Sequence, residues 1–212
     1  MTNSKVSLKH LKSFLIEYKF TILICALLSF IGIVLGVYAE LKNSTFTIFS
    51  ADELSISKII VGDYNVWQRF FYVFGLLLLS FIIVTVFNLN KFLFVFSYIY
   101  LGYQSYLFGS SITTVIALKG IRGAFSTLFF LLPINLLILF SIMFTISIYN
   151  KRKKIAKQLK LMTKQSYVQI MPLIIFNFLL MVLISIISAV ILPLVLRSVI
   201  IISYWFYVSV ID

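Results

Sequence analysis

The chain has 212 residues, 62% of them hydrophobic and only 11% charged, with 18 Lys and Arg against 6 Asp and Glu and a formal net charge of +12. A soluble domain is about 45–50% apolar and about 25% charged, so a water-facing globule of this composition would be left with apolar surface it could not cover. That excludes an ordinary soluble enzyme and makes lipid the expected solvent.

Inside a bilayer every backbone polar group is satisfied within a helix or a closed barrel. Barrel strands are roughly 10 residues long and alternate in polarity. This chain has long unbroken apolar runs with 3 prolines and 8 glycines, so the expected fold class is an all-α polytopic membrane helix bundle. The single cysteine, Cys25, rules out an intrachain disulfide.

A crossing helix needs about 20 apolar residues. In chain order, Phe20–Tyr38 fits between Lys19 and Glu40, and its core exceeds the apolar region of a cleaved signal peptide (about 7–15 residues). The outer segment from Glu40 to Arg69 follows. In it Ser50 and Glu53 have capping-box spacing, which predicts a short helix through Ile60. Phe70–Phe87 is the second span. The short polar link Asn88–Lys91 turns the chain into the third, Phe92–Leu118, as an antiparallel hairpin. Ala124–Tyr149 is the fourth, and Leu173–Leu196, closed by Arg197, the fifth. The aromatic tail Ser198–Ile211, with Tyr204, Trp205, Phe206 and Tyr207 at its centre, is too short to span and is expected to lie as an interfacial helix.

Orientation follows the excess of Lys and Arg on the cytoplasmic side. With the N-terminus inside, twelve of the 18 basic residues are cytoplasmic and six are outside. The inner ones cluster at Lys5–Lys19 and Lys151–Lys164. The basic balance is therefore a topological signal, and no nucleic-acid partner is needed to explain it.

No catalytic chemistry is visible. The only histidine, His10, stands before the first span without partners, whereas metal sites and nucleophilic dyads need several ligands or a base nearby. There is no phosphate-cradling glycine loop, so any ATP is used by a partner. The predicted span interiors hold no Asp, Glu, Lys or Arg, which argues against ion-coupled transport by this chain alone. No enzyme activity, cofactor or metal is expected.

Packing features remain. Gly102, Ser105, Gly109 and Thr113 recur at helical spacing and predict a close-packed face on the third span, within the chain or against another subunit. Pro133 is expected to kink the fourth span, with Asn135 near enough to satisfy a freed backbone group or to contact a substrate or partner. Within Asn150–Met171, the side chains of Lys153, Lys157, Lys160 and Lys164 share one helical face, opposite Ile155, Leu159 and Met162. A helix of that kind lies on the membrane surface, where it contacts anionic lipid or an acidic cytosolic partner.

The stretch Gly102–Leu139 resembles the stage II sporulation protein M family. It has a glycine-spaced third span (Gly102, Gly109), a turn at Lys119-Gly120, and Leu132-Pro133-Ile134-Asn135 in the fourth span. Phe30–Gly36 is similar to the family's first span and Ser188–Pro193 to its fifth. Departures fall at Ile134, where the family often has Gln, and near Ala189, where an acidic residue is common. The resemblance implies a non-catalytic subunit of a multiprotein complex in the bacterial cell membrane, and family members divide into two roles. One is a scaffold anchoring peptidoglycan-remodelling enzymes during engulfment in sporulation. The other is assistance, beside an ATPase, in maturation or export of an apolar circular-bacteriocin peptide. The departures favour the second.

Overall fold

A computed structural model of the chain describes residues 16–42, 65–89, 92–159, 163–195 and 198. Among the described residues five α-helices follow one another: α1 (Lys19–Lys42), α2 (Val66–Leu89), α3 (Phe94–Ser126), α4 (Leu132–Leu159) and α5 (Thr163–Ile186). A π-turn at Thr127–Leu131 leads into α4, and a second at Ile187–Ile191 extends α5. There is no strand among the described residues.

Among the described residues four helical stretches are long and apolar enough to cross a membrane: Lys19–Lys42, Val66–Leu89, Gly123–Lys157 and Tyr167–Val195. This is therefore a multi-pass membrane protein. The expected third span, in α3, is not among the four. Ser97, Gln104, Ser105, Ser110, Ser111, Thr113 and Thr114 dilute its apolar content.

The helices run past the apolar runs that mark them in the sequence. Lys, Arg, Glu and Gln are good helix formers, so a helix does not stop where its hydrophobicity does. Thus α1 continues from Tyr38 to Lys42, α2 starts four residues before Phe70, and α4 continues through the basic residues to Leu159. Helix α5 begins at Thr163 and passes Pro172 without interruption. The segment expected to lie flat on the membrane is instead largely the end of α4 and the start of α5. The expected helix at Ser50–Ile60, Lys160, and the tail apart from Ser198 lie outside the described residues.

Local chemistry explains the element boundaries. Asn65 caps α2, its Oδ1 accepting from the Trp67 and Gln68 amides at 3.0 and 3.2 Å. Gly120 (φ 56°, ψ −134°) breaks α3 at a conformation open to glycine and strained for other residues. Each π-turn ends two residues before a proline, Pro133 or Pro193. The wider turn re-registers the backbone where proline offers no N–H.

Side-chain pairs fix the topology. Ser80 and Tyr100 share a hydrogen bond at 2.8 Å and Asn88 Nδ2 donates to Ser97 Oγ at 2.7 Å, so α2 and α3 are antiparallel. Glycine contacts at Gly32, Gly36 and Gly109 make α1 parallel to α3. Tyr149 donates to Thr85 at 2.8 Å while Arg69 lies over Phe130, so α4 runs parallel to α2. Helix α4 is the central pole, buried along most of Ile134–Tyr149, whereas α1 buries only one narrow stripe. Its Ile134, Ile138, Ile142 and Ile146 meet Val73, Leu77, Leu101, Val115, Met181 and Ile184 in the main core. The outer face of α1, including Phe20, Ile24, Leu27, Ile31 and Leu35, is exposed and suited to lipid.

Candidate functional site

Three polar layers cross the bundle. The first lies at the end of α1. Glu40 and Arg69 are both buried, at 6% and 5% exposure. The sequence places these charges just outside the predicted spans; the lengthened α1 and α2 carry them into the bundle. Ser110 Oγ donates to Glu40 Oε2 at 2.8 Å, and Thr114 Oγ1 lies 3.1 Å from Oε1. Arg69 Nε donates to Ser188 Oγ at 3.2 Å, and its guanidinium stands 5.3 Å from the Phe130 ring centre and 5.5 Å from that of Tyr72. Phe130 belongs to the first π-turn and Ser188 to the second, so one arginine binds both expanded turns.

The second layer is in the middle of α4 and α5. Asn177, fully buried, donates from Nδ2 to Thr145 Oγ1 at 2.9 Å and accepts from Ser141 Oγ at 3.5 Å. Such hydrogen bonds join helices where lipid offers no hydrophobic drive.

The third layer surrounds the end of α4. Lys153 Nζ donates to Asn88 Oδ1 at 3.2 Å and lies 4.4 Å from the Phe94 ring centre. Asn150 Nδ2 donates to Tyr98 at 2.9 Å. Arg152 donates to the Tyr167 hydroxyl and sits over its ring at 4.5 Å. Lys154 pairs with Glu17 at 2.7 Å in the open. Tyr18, just before α1, packs with Phe144, Ile148 and Ile170. Burial, then the neighbouring Glu17, pushes its hydroxyl up to about 12, which keeps it neutral.

Comparison of the chain with protein-family models, characterised proteins and solved structures gives no match. Its chemistry is thus read from the residues themselves. Among the described residues no group of three His, Cys, Asp or Glu side chains is gathered to hold a metal.

The residues singled out in the sequence fall in different places. Gly109 faces α1: a Cβ there would stand 2.9 Å from the Ile33 carbonyl carbon. Ser105 and Thr113 are buried on the same helix, each hydroxyl returned to the carbonyl four residues earlier. Gly102 meets α1 through its carbonyl oxygen, while its own Cβ position is open for 4 Å. Asn135 Nδ2 donates to Leu131 O at 3.0 Å, at the junction of π-turn and Pro133. Of the lysines, Lys153 is turned toward the α2–α3 hairpin and Lys157 is exposed. Lys164 lies in the first turn of α5.

Sequence reasoning missed the other half of the α1–α3 contact. Gly32 and Gly36 form a G-x-x-x-G pattern, a signal for close helix approach. It also missed Glu40 and Arg69. Their signal was spacing: Cys25, Ser29, Gly32, Gly36 and Glu40 form the buried stripe of α1, and Arg69, Val73, Leu77, Ser80, Val84 and Asn88 that of α2.

Proposed function

We propose that the chain is a non-catalytic, five-span subunit of a complex in the bacterial cell membrane, N-terminus inside, in the manner of the stage II sporulation protein M family. Its role is to assist maturation or export of an apolar peptide of the circular-bacteriocin type beside a cytosolic ATPase. The tail Ser198–Ile211 rests at the outer interface.

The fifth crossing, by α3, is supported by where its polar groups lie. Ser105, Ser110, Thr113 and Thr114 are buried, whereas Val95, Phe96, Ile99 and Ile116 are exposed. Lipid would meet the apolar side of α3, whatever the average over all sides. From Phe94 to Gly120 the helix rises roughly 40 Å, beyond a hydrocarbon core of about 30 Å.

The observation that carries the partner reading is the basic end of α4. This end is an extension of a core helix rather than a loose loop. Lys153 and Arg152 are fastened to Asn88 and Tyr167, while Lys157 and the Glu17-paired Lys154 stand exposed on this arm. A pre-ordered basic surface suits an acidic patch on a cytosolic protein, and anionic headgroups beside it.

Affinity purification with mass spectrometry tests this, comparing wild type with Lys154→Gln/Lys157→Gln. The expected outcome is loss of a co-purifying ATPase while membrane subunits remain. Unchanged cytosolic partners together with a co-purifying wall hydrolase would favour the sporulation scaffold instead. Orientation is checked with Lys157→Cys in a Cys25→Ser background: an impermeant maleimide should label it only after permeabilisation.

A further inference from the structure

Glu40 closes a buried stripe of α1 that otherwise consists of small residues, Cys25, Ser29, Gly32 and Gly36. An acid held inside a membrane bundle is costly unless something balances it, and such residues mark functional positions. Among the described residues no cationic side chain pairs with Glu40. Its partners are two hydroxyls of the facing helix, Ser110 at 2.8 Å and Thr114 at 3.1 Å.

Those hydroxyls do not saturate the carboxylate. Each carries one proton, while a carboxylate has about four lone-pair positions. Thr114 Oγ1 is also 3.0 Å from the Ser110 carbonyl oxygen, so its one proton is shared between two acceptors. The result is a buried knot of oxygens with a surplus of acceptors.

We propose that Glu40, Ser110 and Thr114 form a binding site for a monovalent alkali cation, sodium foremost. The donors are carboxylate and hydroxyl oxygens, with no nitrogen or sulfur, a set that selects hard cations. One carboxylate balances one positive charge; a divalent ion would leave an unpaired charge at low dielectric. The site is also rigid. One turn below it, Gly36 brings the α1 backbone against α3, with a built Cβ only 2.9 Å from the Ser110 nitrogen. Its place two residues before the end of α1 puts it within reach of an aqueous boundary. A bound cation would tie the parallel helices α1 and α3 at this end. This inference does not depend on the export reading.

The test uses the full chain purified in mild detergent, at constant ionic strength set with N-methylglucamine chloride. Thermal unfolding is followed while NaCl, LiCl or KCl replaces that salt, and radiolabelled sodium uptake is measured in parallel. The expected result is a saturable rise in Tm with sodium and uptake of about one ion per chain, as one carboxylate implies. Both should vanish in Glu40→Gln. Affinity should fall about tenfold or more in Thr114→Val, which removes a ligand oxygen. Glu17→Gln, which alters an exposed acid, should leave both intact. Equal Tm in all salts with no uptake would overturn the proposal, as would uptake that survives Glu40→Gln. A Tm that follows pH through Glu40 but ignores sodium would assign a proton there and overturn it equally. If Glu40→Gln does not fold, wild-type uptake by Thr114→Val is the overturning result.

Discussion

Gly32 of α1 rests on the carbonyl oxygen of Gly102 in α3: a Cβ built on Gly32 would stand 2.5 Å from that oxygen and 2.8 Å from the Ser105 Cβ. The obstacle is backbone, so it cannot swing aside as a side chain would. Gly32→Ala is therefore expected to destabilise the protein by about 1–3 kcal/mol, the usual range for overpacking. Gly109→Ala should behave alike. Gly102→Ala should be neutral or stabilising by up to about 1 kcal/mol, because its Cβ meets nothing within 4 Å and alanine is the better helix former. Thermal unfolding in detergent checks all three; equal loss at Gly32 and Gly102 would refute the asymmetry.

Arg69 offers a second test. Lysine keeps the charge but loses the Nε donor to Ser188 and the flat guanidinium over Phe130 and Tyr72. Arg69→Lys should cost about 1–3 kcal/mol, from a charged hydrogen bond and its ring contacts. Ser188→Ala should cost less, about 1 kcal/mol. A wild-type melting temperature for Arg69→Lys would mean that charge alone matters here.

For the middle layer, a double-mutant cycle between Asn177→Leu and Thr145→Val isolates the 2.9 Å hydrogen bond. Coupling between such intramembrane pairs averages about 0.6 kcal/mol and reaches about 1.7. Full burial of Asn177 puts the expected value in the upper half of that range. Additive effects of the two substitutions would show that the pair contributes packing only.

Much of the architecture was legible in the sequence because lipid imposes a crude rule: long apolar runs become helices. Phe20–Tyr38 and Phe70–Phe87 lie inside α1 and α2, and Lys119-Gly120 marks the break in α3. The ends were not legible. A run stops at the first charge, but backbone hydrogen bonding continues through Lys, Arg and Glu, so Glu40, Arg69 and Lys153 entered the bundle unannounced. Phe92–Leu118 reads as a long apolar run, but the Ser, Thr and Gln side chains within it keep α3 out of the four stretches apolar enough to cross. Gly109 was readable as a contact point from small-residue spacing. That Gly102 contributes its carbonyl rather than an open Cα depends on the rotation of α3 about its own axis, which Gly32 and Gly36 on the other helix decide.

The two π-turns carry a consequence for how the chain tolerates change in length. A π-turn closes i→i+5 where an α-helix closes i→i+4, so each of Thr127–Leu131 and Ile187–Ile191 accommodates about one surplus residue. Removing one amino acid from either turn would restore ordinary helix and leave α4, or the helical residues 192–195 that follow the second turn, in place. The same deletion within Leu136–Ile148 would rotate every later side chain by about 100°. Single-residue deletions in these helices are thus survivable near the prolines, beside Arg69, and ruinous along the central pole.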